Sequence, residues 1–173
     1  MPYDASEFHV TPFVYDTLRS RNLHFSIEET QSRMTFAKPD FLDIEYTRTM
    51  MGFLLFIEQP LKIGMIGLGG GSLAKFCYRH MPHTHITVVE INPHVIALRE
   101  QFAVPPDDER FQVVRGDGAR FVGAHPAEFD VLLVDGYDYD GLPPSLSSRH
   151  FYDEACYSLR SGGVMAANIH SAI

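Results

Sequence analysis

Cysteine is scarce in this sequence, and histidine does not cluster. The two cysteines, Cys77 and Cys156, lie far apart in predicted helices, which favours buried thiols over a disulfide. The nine histidines are scattered, and the pair His83 and His85 has no matching second pair at metal-site spacing. We therefore expect neither a disulfide nor a bound metal.

Long apolar runs are also missing. No stretch approaches the roughly 20 apolar residues that a membrane-spanning helix needs. Residues 1–10 contain neither the basic patch nor the apolar run of a secretory signal. We expect a cytoplasmic protein that makes no contact with membranes.

Clusters of lysine and arginine are absent as well, and the formal net charge is −8. Affinity for nucleic acid depends first on clustered cations, so no nucleic-acid partner is expected. A cationic small molecule would suit this charge, although ordinary solubility explains it equally well.

The residues that are present suit one packed domain, because the chain has 173 residues of which 45% are apolar. Residues 1–43 contain short alternating runs between charged turns, which predicts a small N-terminal β-hairpin region. Residues 44–58 carry apolar side chains at helical spacing and stop before Pro60, which predicts a helix. We place a second, larger domain over residues 44–173.

From residue 61 onward, predicted strands and helices alternate. The strands are predicted at 61–66, 85–89, 111–114, 129–134 and 163–169, and the helices at 72–80, 93–102, 119–124 and 147–159. Asn92 followed by Pro93 is typical of a helix start. Strands as apolar as 129–134 belong in a parallel sheet covered on both faces. The fold class is therefore α/β, an open and mostly parallel Rossmann-like sheet with helices on both faces.

In such sheets ligands bind at the carboxyl ends of the strands. The chain stops just past the fifth predicted strand, whereas these folds normally continue through two more. We expect either a fragment or a partner that covers this sheet edge.

A glycine-rich turn, GLGGGS over residues 67–72, follows the first of these strands. Gly67, Gly69 and Gly70 would let the backbone approach a ligand at the N-terminus of the next helix. Tight packing of strand on helix can also require glycines. Ser72 stands where the third glycine of a dinucleotide-binding turn would be, so a nicotinamide enzyme is possible but not favoured.

Acidic residues follow the second and third strands. Glu90, roughly 20 residues beyond the glycines, could accept both ribose hydroxyls, or it could be only a charge at a helix N-terminus. Asp117, between Gly116 and Gly118, could accept the adenine amino hydrogen, or it could be only a helix cap. Taken together, the three strand ends indicate adenosine.

The fourth strand runs into an acidic loop over residues 135–141 that contains Asp135, Asp138 and Asp140. A solvated loop could carry these acids. Alternatively, they form a pocket for a cation, because an amine nucleophile is protonated at neutral pH and needs a carboxylate to remove its proton. Tyr137 would add an aromatic wall for a methylene chain.

These motifs resemble those of the spermidine synthase (polyamine aminopropyltransferase) family. The resemblance runs over residues 23–168, and its carriers are GLGGGSL at 67–73, VVEINP at 88–93, GDGARF at 116–121, FDVLLVD at 129–135 and LRSGG at 159–163. It implies a transferase fold of the S-adenosylmethionine-dependent type. The motifs are specific as an ordered set, whereas the glycine turn alone would also fit a methyltransferase.

The family transfers an aminopropyl group from decarboxylated S-adenosylmethionine to putrescine. The resemblance implies that Glu90 binds the ribose, Asp117 the adenine, and that Asp135 is the general base. Asp138 would contact the substrate amine, as would Tyr46, and Gln31 lies near a pocket glutamine of the family. It also implies a homodimer.

Two departures from the family pattern keep other functions open. The family's loop aspartate that binds the donor nitrogen falls on Gly69, which makes ordinary S-adenosylmethionine a second candidate donor. Residues 47–49 lack the family's polar-acidic pair, and Arg48 would oppose a cationic substrate if it lined the pocket. The alternatives are a methyltransferase-like enzyme and a nucleoside-binding module without catalysis.

Overall fold

The N-terminal part of the protein forms a small antiparallel sheet. The computed structural model describes residues 9–26, 30–137 and 141–169. The strands are β1 (Phe13–Asp16), β2 (Ser20–His24) and β3 (Thr30–Thr35), in the order β1-β2-β3. The predicted antiparallel region therefore contains three strands and not two. The third escaped prediction because its sequence, TQSRMT, is mostly polar, although it buries Ser32 and Met34.

A short helical segment leads from this sheet into the larger one. Helix α1 (Glu45–Met50) passes directly into a 3-10 helix, Met51–Leu55. The helix predicted over residues 44–58 is thus too long. Gly52 lies where the α-helix gives way to the 3-10 helix, and glycine disfavours a continuing α-helix by about 1 kcal/mol relative to alanine.

The remaining residues form five parallel strands connected by helices. The strands are β4 (Lys62–Ile66), β5 (His85–Glu90), β6 (Phe111–Arg115), β7 (Phe129–Val134) and β8 (Leu159–Ala167). The helices are α2 (Ser72–His80), α3 (Pro93–Ala97), α4 (Gly118–Gly123), α5 (Pro144–Ser147) and α6 (Arg149–Ser158). The strand order is β6-β5-β4-β7-β8, and every pairing is parallel. The predicted α/β fold class is confirmed.

Both faces of this sheet are covered, as expected from its apolar strands. On one face, Met65 and Leu133 belong to a buried cluster that includes Leu73 of α2 and Leu23 of the N-terminal sheet. On the opposite face, Ile66 belongs to a second cluster with residues of α4 and α6. Alternate residues of one strand thus serve opposite faces, as the period of two requires.

Two further helices differ from their predicted bounds, and β8 begins at Leu159 and not at residue 163. Helix α3 ends at Ala97, well before residue 102, and Ala103 takes a left-handed conformation with φ 54° in the turns that follow. The helix predicted at 147–159 is interrupted at Ser148, whose extended backbone ends α5 and whose hydroxyl accepts from the Phe151 N–H at 3.1 Å to start α6. Cys77 is buried as expected, but Cys156 on α6 is exposed.

The strand order places a ligand site at one point of the sheet. After β4 the chain goes first to β5 and β6 on one side, and then to β7 and β8 on the other. The crevice beside β4 at the carboxyl ends is where open α/β sheets bind ligands. Gly67 lies there with φ +91°, and a Cβ on it would lie 2.2 Å from the Asp135 carbonyl oxygen. Only glycine allows the two loops to pass each other this closely.

No helix among the described residues is both long and apolar enough to span a bilayer.

Candidate active site

A cavity of about 730 Å³ lies at the carboxyl ends of the parallel strands. This is a typical volume for a small-molecule pocket. Loops after all five parallel strands line it, and β3, α1 and the segment before β1 close it from the other side. The cavity therefore lies between the two sheets.

Most of the residues predicted for the site are brought together here. The lining includes Gln31, Tyr46, Gly67, Gly69, Glu90, Asp117, Gly118, Asp135 and Tyr137. Gly70 does not line the cavity; its N–H donates to the Ser32 hydroxyl at 2.9 Å. Asp138 lies outside the described residues, as does Asp140.

Arg48 does not oppose a cation in this cavity. Its side chain is exposed and donates to the backbone carbonyl oxygens of Leu42 and Asp43, at 2.8 and 3.1 Å. Arg48 is absent from the lining, so the objection that it raised against a cationic substrate no longer holds.

Glu90, the last residue of β5, is held by backbone groups. The Leu68 N–H donates to Oε2 and the Asn92 N–H to Oε1, both at 2.8 Å, and the residue is 8% exposed. Burial raises the pKa of the Glu90 carboxyl, while these backbone N–H groups oppose the rise. Each carboxylate oxygen can accept a further hydrogen bond. A rigid acceptor pair therefore faces the cavity.

Asp117 caps a helix and also lines the cavity. Its Oδ1 accepts from the Arg120 N–H at 2.8 Å and so caps α4. The same residue lines the cavity, and a carboxylate has a second oxygen for a ligand. Gly118 beside it lets α4 approach β4, because a Cβ there would lie 2.5 Å from Cγ2 of Ile66.

Asp135, directly after β7, accepts hydrogen bonds on both oxygens. The Tyr46 hydroxyl donates to Oδ2 at 2.9 Å and the Asn168 amide to Oδ1 at 3.0 Å. Burial raises the pKa of Asp135, and the Asn168 and Tyr46 donors oppose that rise. Burial and the Asp135 charge also raise the pKa of Tyr46 far above its usual range, so the phenol stays protonated as a donor.

Asn168, which donates to Asp135, is a functional-site residue that the sequence did not predict. It follows β8, and its backbone oxygen accepts from the Tyr137 hydroxyl at 3.0 Å. A signal was available, because Asn168 occupies the carboxyl end of the fifth parallel strand. The strand-end argument that found Glu90, Asp117 and Asp135 applies to it equally.

Ser32 was also missed, because it lies on a strand that was not predicted. It is 7% exposed, and its Oγ would lie 2.8 Å from a Cβ placed on Gly69. The loop over residues 67–71 carries no carboxylate. At this place the N-terminal sheet therefore presents a neutral hydroxyl to the glycine loop.

Among the described residues that line the cavity, the acidic side chains are not balanced by lysine or arginine. Glu90, Asp117 and Asp135 are acidic, and no lysine or arginine is among the described lining residues. Low-dielectric walls strengthen the field of such a cavity, so it favours a cationic ligand. Within the described ranges, no group of three or more His, Cys, Asp or Glu side chains is placed to hold a metal ion.

Comparison with known proteins assigns the chain to a family. The family model for the spermine/spermidine synthase domain matches residues 43–172. The chain belongs to the spermine/spermidine synthase family. This membership confirms the resemblance that the strand-end motifs indicated.

Two relatives in the spermine/spermidine synthase family are similar over most of this chain. The polyamine aminopropyltransferase of Neisseria meningitidis is 38% identical over 150 residues, which is 86% of this chain and 57% of the relative. That of Chromobacterium violaceum is 38% identical over 149 residues, with the same two shares. The chain thus spans little more than half the length of these curated relatives.

Solved structures agree with the family fold. A probable spermidine synthase from Corynebacterium glutamicum has a TM-score of 0.76 at 21% identity, covering 90% of this chain and 59% of its own. Human methyltransferase-like protein 13 in complex with SAH has a TM-score of 0.63 at 27% identity, covering 70% of this chain and 63% of its own. The first likeness supports the fold, and the second adds a neighbour with a bound adenosyl compound.

Proposed function

We propose that this protein transfers an aminopropyl group from decarboxylated S-adenosylmethionine to a small amine such as putrescine. The observation that carries the proposal is the cavity whose described charged side chains, Glu90, Asp117 and Asp135, are all carboxylates. Both substrates are cations, so this field favours both. Family membership supplies the reaction class.

The donor's adenosine would lie at the ends of β5 and β6. Glu90 would accept the ribose hydroxyls, and Asp117 the adenine amino hydrogen, since each acid lines the cavity with capacity to accept. Gly67, Gly69 and Gly118 would let the backbone approach the nucleoside. Gly70 would hold the loop in place through the hydrogen bond from its N–H to the Ser32 hydroxyl. The sulfonium would then face Asp135 across the glycine loop.

The amine would occupy the space beside Asp135, Tyr46 and Tyr137, with Gln31 on the opposite wall. Its lone pair attacks the aminopropyl carbon bonded to sulfur. The new C–N bond forms as the C–S bond breaks, and the electron pair of that bond leaves with sulfur as methylthioadenosine. Asp135 accepts the proton of the amine. We retain Asp138 as a second contact for the amine.

A methyltransferase-like reaction is the second candidate. It is favoured by the methyltransferase-like neighbour with SAH and by the glycine loop, which carries no carboxylate to repel a donor's own carboxylate. The buried Asp135, with two donors that hold it in place, favours an amine acceptor and argues against a binding module without catalysis.

Donor choice is expected to be weak. Because Gly69 carries no side chain, the protein should distinguish decarboxylated from ordinary S-adenosylmethionine by less than about a hundredfold, or about 2.7 kcal/mol. Calorimetric titration with both compounds and with methylthioadenosine measures this ratio. A larger preference for the decarboxylated donor would mean that another carboxylate, Asp138 or Asp140, binds its nitrogen.

The donors to Asp135 should set the pH range of turnover. Removing one, in Asn168→Ala or Tyr46→Phe, takes away a hydrogen bond that lowers the pKa of Asp135. That pKa rises, so the ionised base requires a higher pH, and the acidic limb of the kcat profile should move to higher pH. Tyr157→Phe, at an exposed position, is the control and should leave the profile unchanged. A downward movement of the limb would contradict the base assignment.

We also infer that the protein works as a cytoplasmic homodimer, with a small N-terminal β unit over residues 1–43 and a catalytic domain over 44–173. The absence of a metal from the reaction is part of the same proposal, because displacement at carbon next to a sulfonium needs a base and no Lewis acid.

A further inference from the structure

A short segment before β1 forms part of the cavity wall. His9 and Val10 line the cavity, and Pro12 is buried. The segment is fixed at one point far along the chain, because the amide of Asn92 donates from Nδ2 to the Val10 carbonyl oxygen at 2.8 Å. The N-terminal segment is therefore tied to the loop after β5.

Asn92 uses every polar group of its side chain at this place. Its Oδ1 accepts from the His94 N–H at 2.9 Å and caps α3, while its own N–H donates to Oε1 of Glu90 at 2.8 Å. The residue is 7% exposed. A continuous chain of hydrogen bonds thus runs from the Glu90 carboxylate through Asn92 to the Val10 backbone.

A capping role alone does not explain this arrangement. Helices α4 and α6 are capped by Asp117 and Ser148, which use one oxygen each. An ionised aspartate has no hydrogen to donate, whereas asparagine offers two. The Asn92 amide therefore supplies something beyond the cap, namely the donor that holds the N-terminal segment against the Glu90 side of the cavity.

We propose that residues 9–12 form a wall of the nucleoside site and that Asn92 is the positioning residue that ties this wall to the ribose-binding carboxylate. This inference rests on the adenosine site of the proposed function. The wall excludes water from the Glu90 edge and keeps the carboxylate oriented. Its loss should shorten the time that a nucleoside stays bound.

The test removes the hydrogen bond from Asn92 to Val10 and keeps the cap of α3. Asn92→Asp retains an oxygen for the His94 N–H but loses the donor to Val10. Asn92→Ser also retains an oxygen for the cap without adding a charge, and its shorter side chain no longer places a second polar atom at the Val10 carbonyl. Both variants should raise the Kd of methylthioadenosine by about three- to tenfold, the value of one hydrogen bond. The increase should lie in the dissociation rate, measured by surface plasmon resonance, with a melting temperature within about 4 °C of the parent.

A matched control is Ser148→Ala, which removes the cap of α6 at a residue that does not line the cavity and should leave the Kd unchanged. Two results would overturn the inference: unchanged binding in both Asn92 variants, or a change in Asn92→Asp alone, which would reflect a charge next to Glu90. Failure of the parent protein to bind methylthioadenosine would instead overturn the proposed function, so the two failures are distinguishable.

Discussion

Replacing Asp135 by asparagine is expected to lower turnover with an amine acceptor by about 10²- to 10⁴-fold, the usual contribution of a general base. Nucleoside affinity should stay nearly unchanged, because Glu90 and Asp117 lie at other strand ends. The amide is close in shape to the carboxylate, and its oxygen can still accept from Tyr46. The fold should therefore survive while the proton acceptor is lost.

The measurement compares kcat and the Kd of methylthioadenosine on the same folded variant. Asp153→Asn makes the identical change at an exposed position on α6 and serves as the control. If Asp135→Asn retained turnover within a few-fold of the parent protein, Asp135 would not be the base. A parallel loss of nucleoside affinity would indicate a structural role instead.

Replacing Glu90 by alanine should weaken methylthioadenosine binding by about 1.5–3 kcal/mol, the cost of losing charge-assisted hydrogen bonds. The variant also releases the Leu68 and Asn92 N–H groups that the carboxylate holds. Glu90→Gln separates the two effects, because its amide oxygen can hold one of these N–H groups but carries no charge. Its affinity should fall between those of the parent and the alanine variant.

Calorimetry on both Glu90 variants tests this expectation. Glu100→Ala, at an exposed position beyond α3, is the matched control and should bind as the parent does. Unchanged affinity in a folded Glu90→Ala protein would remove Glu90 from the ribose role, and half of the argument for a nucleoside site with it.

The sheet could be predicted from the sequence because its strands are fully buried. Val131, Leu132 and Leu133 are at most 1% exposed, and such uninterrupted apolar runs are typical of a parallel sheet. The rule that ligands meet the carboxyl ends of strands then predicts that Glu90 and Asp117 lie at the ligand site.

Other features depend on contacts between distant parts of the chain. The hydrogen bond from Asn92 to Val10 joins residues 82 positions apart, and no local sequence pattern predicts it. Strand β3 is polar and becomes a strand only by pairing with β2. Burial is the first cause of the raised pKa of Asp135, and burial depends on how distant segments pack.

Product analysis tests the central claim most directly. The protein is incubated with decarboxylated S-adenosylmethionine and putrescine, and the mixture is examined by mass spectrometry. Aminopropyl transfer predicts spermidine and methylthioadenosine in equal amounts, with the rate at which both form strongly reduced in Asp135→Asn. No spermidine from this mixture, together with a methylated acceptor when S-adenosylmethionine is the donor, would contradict the account.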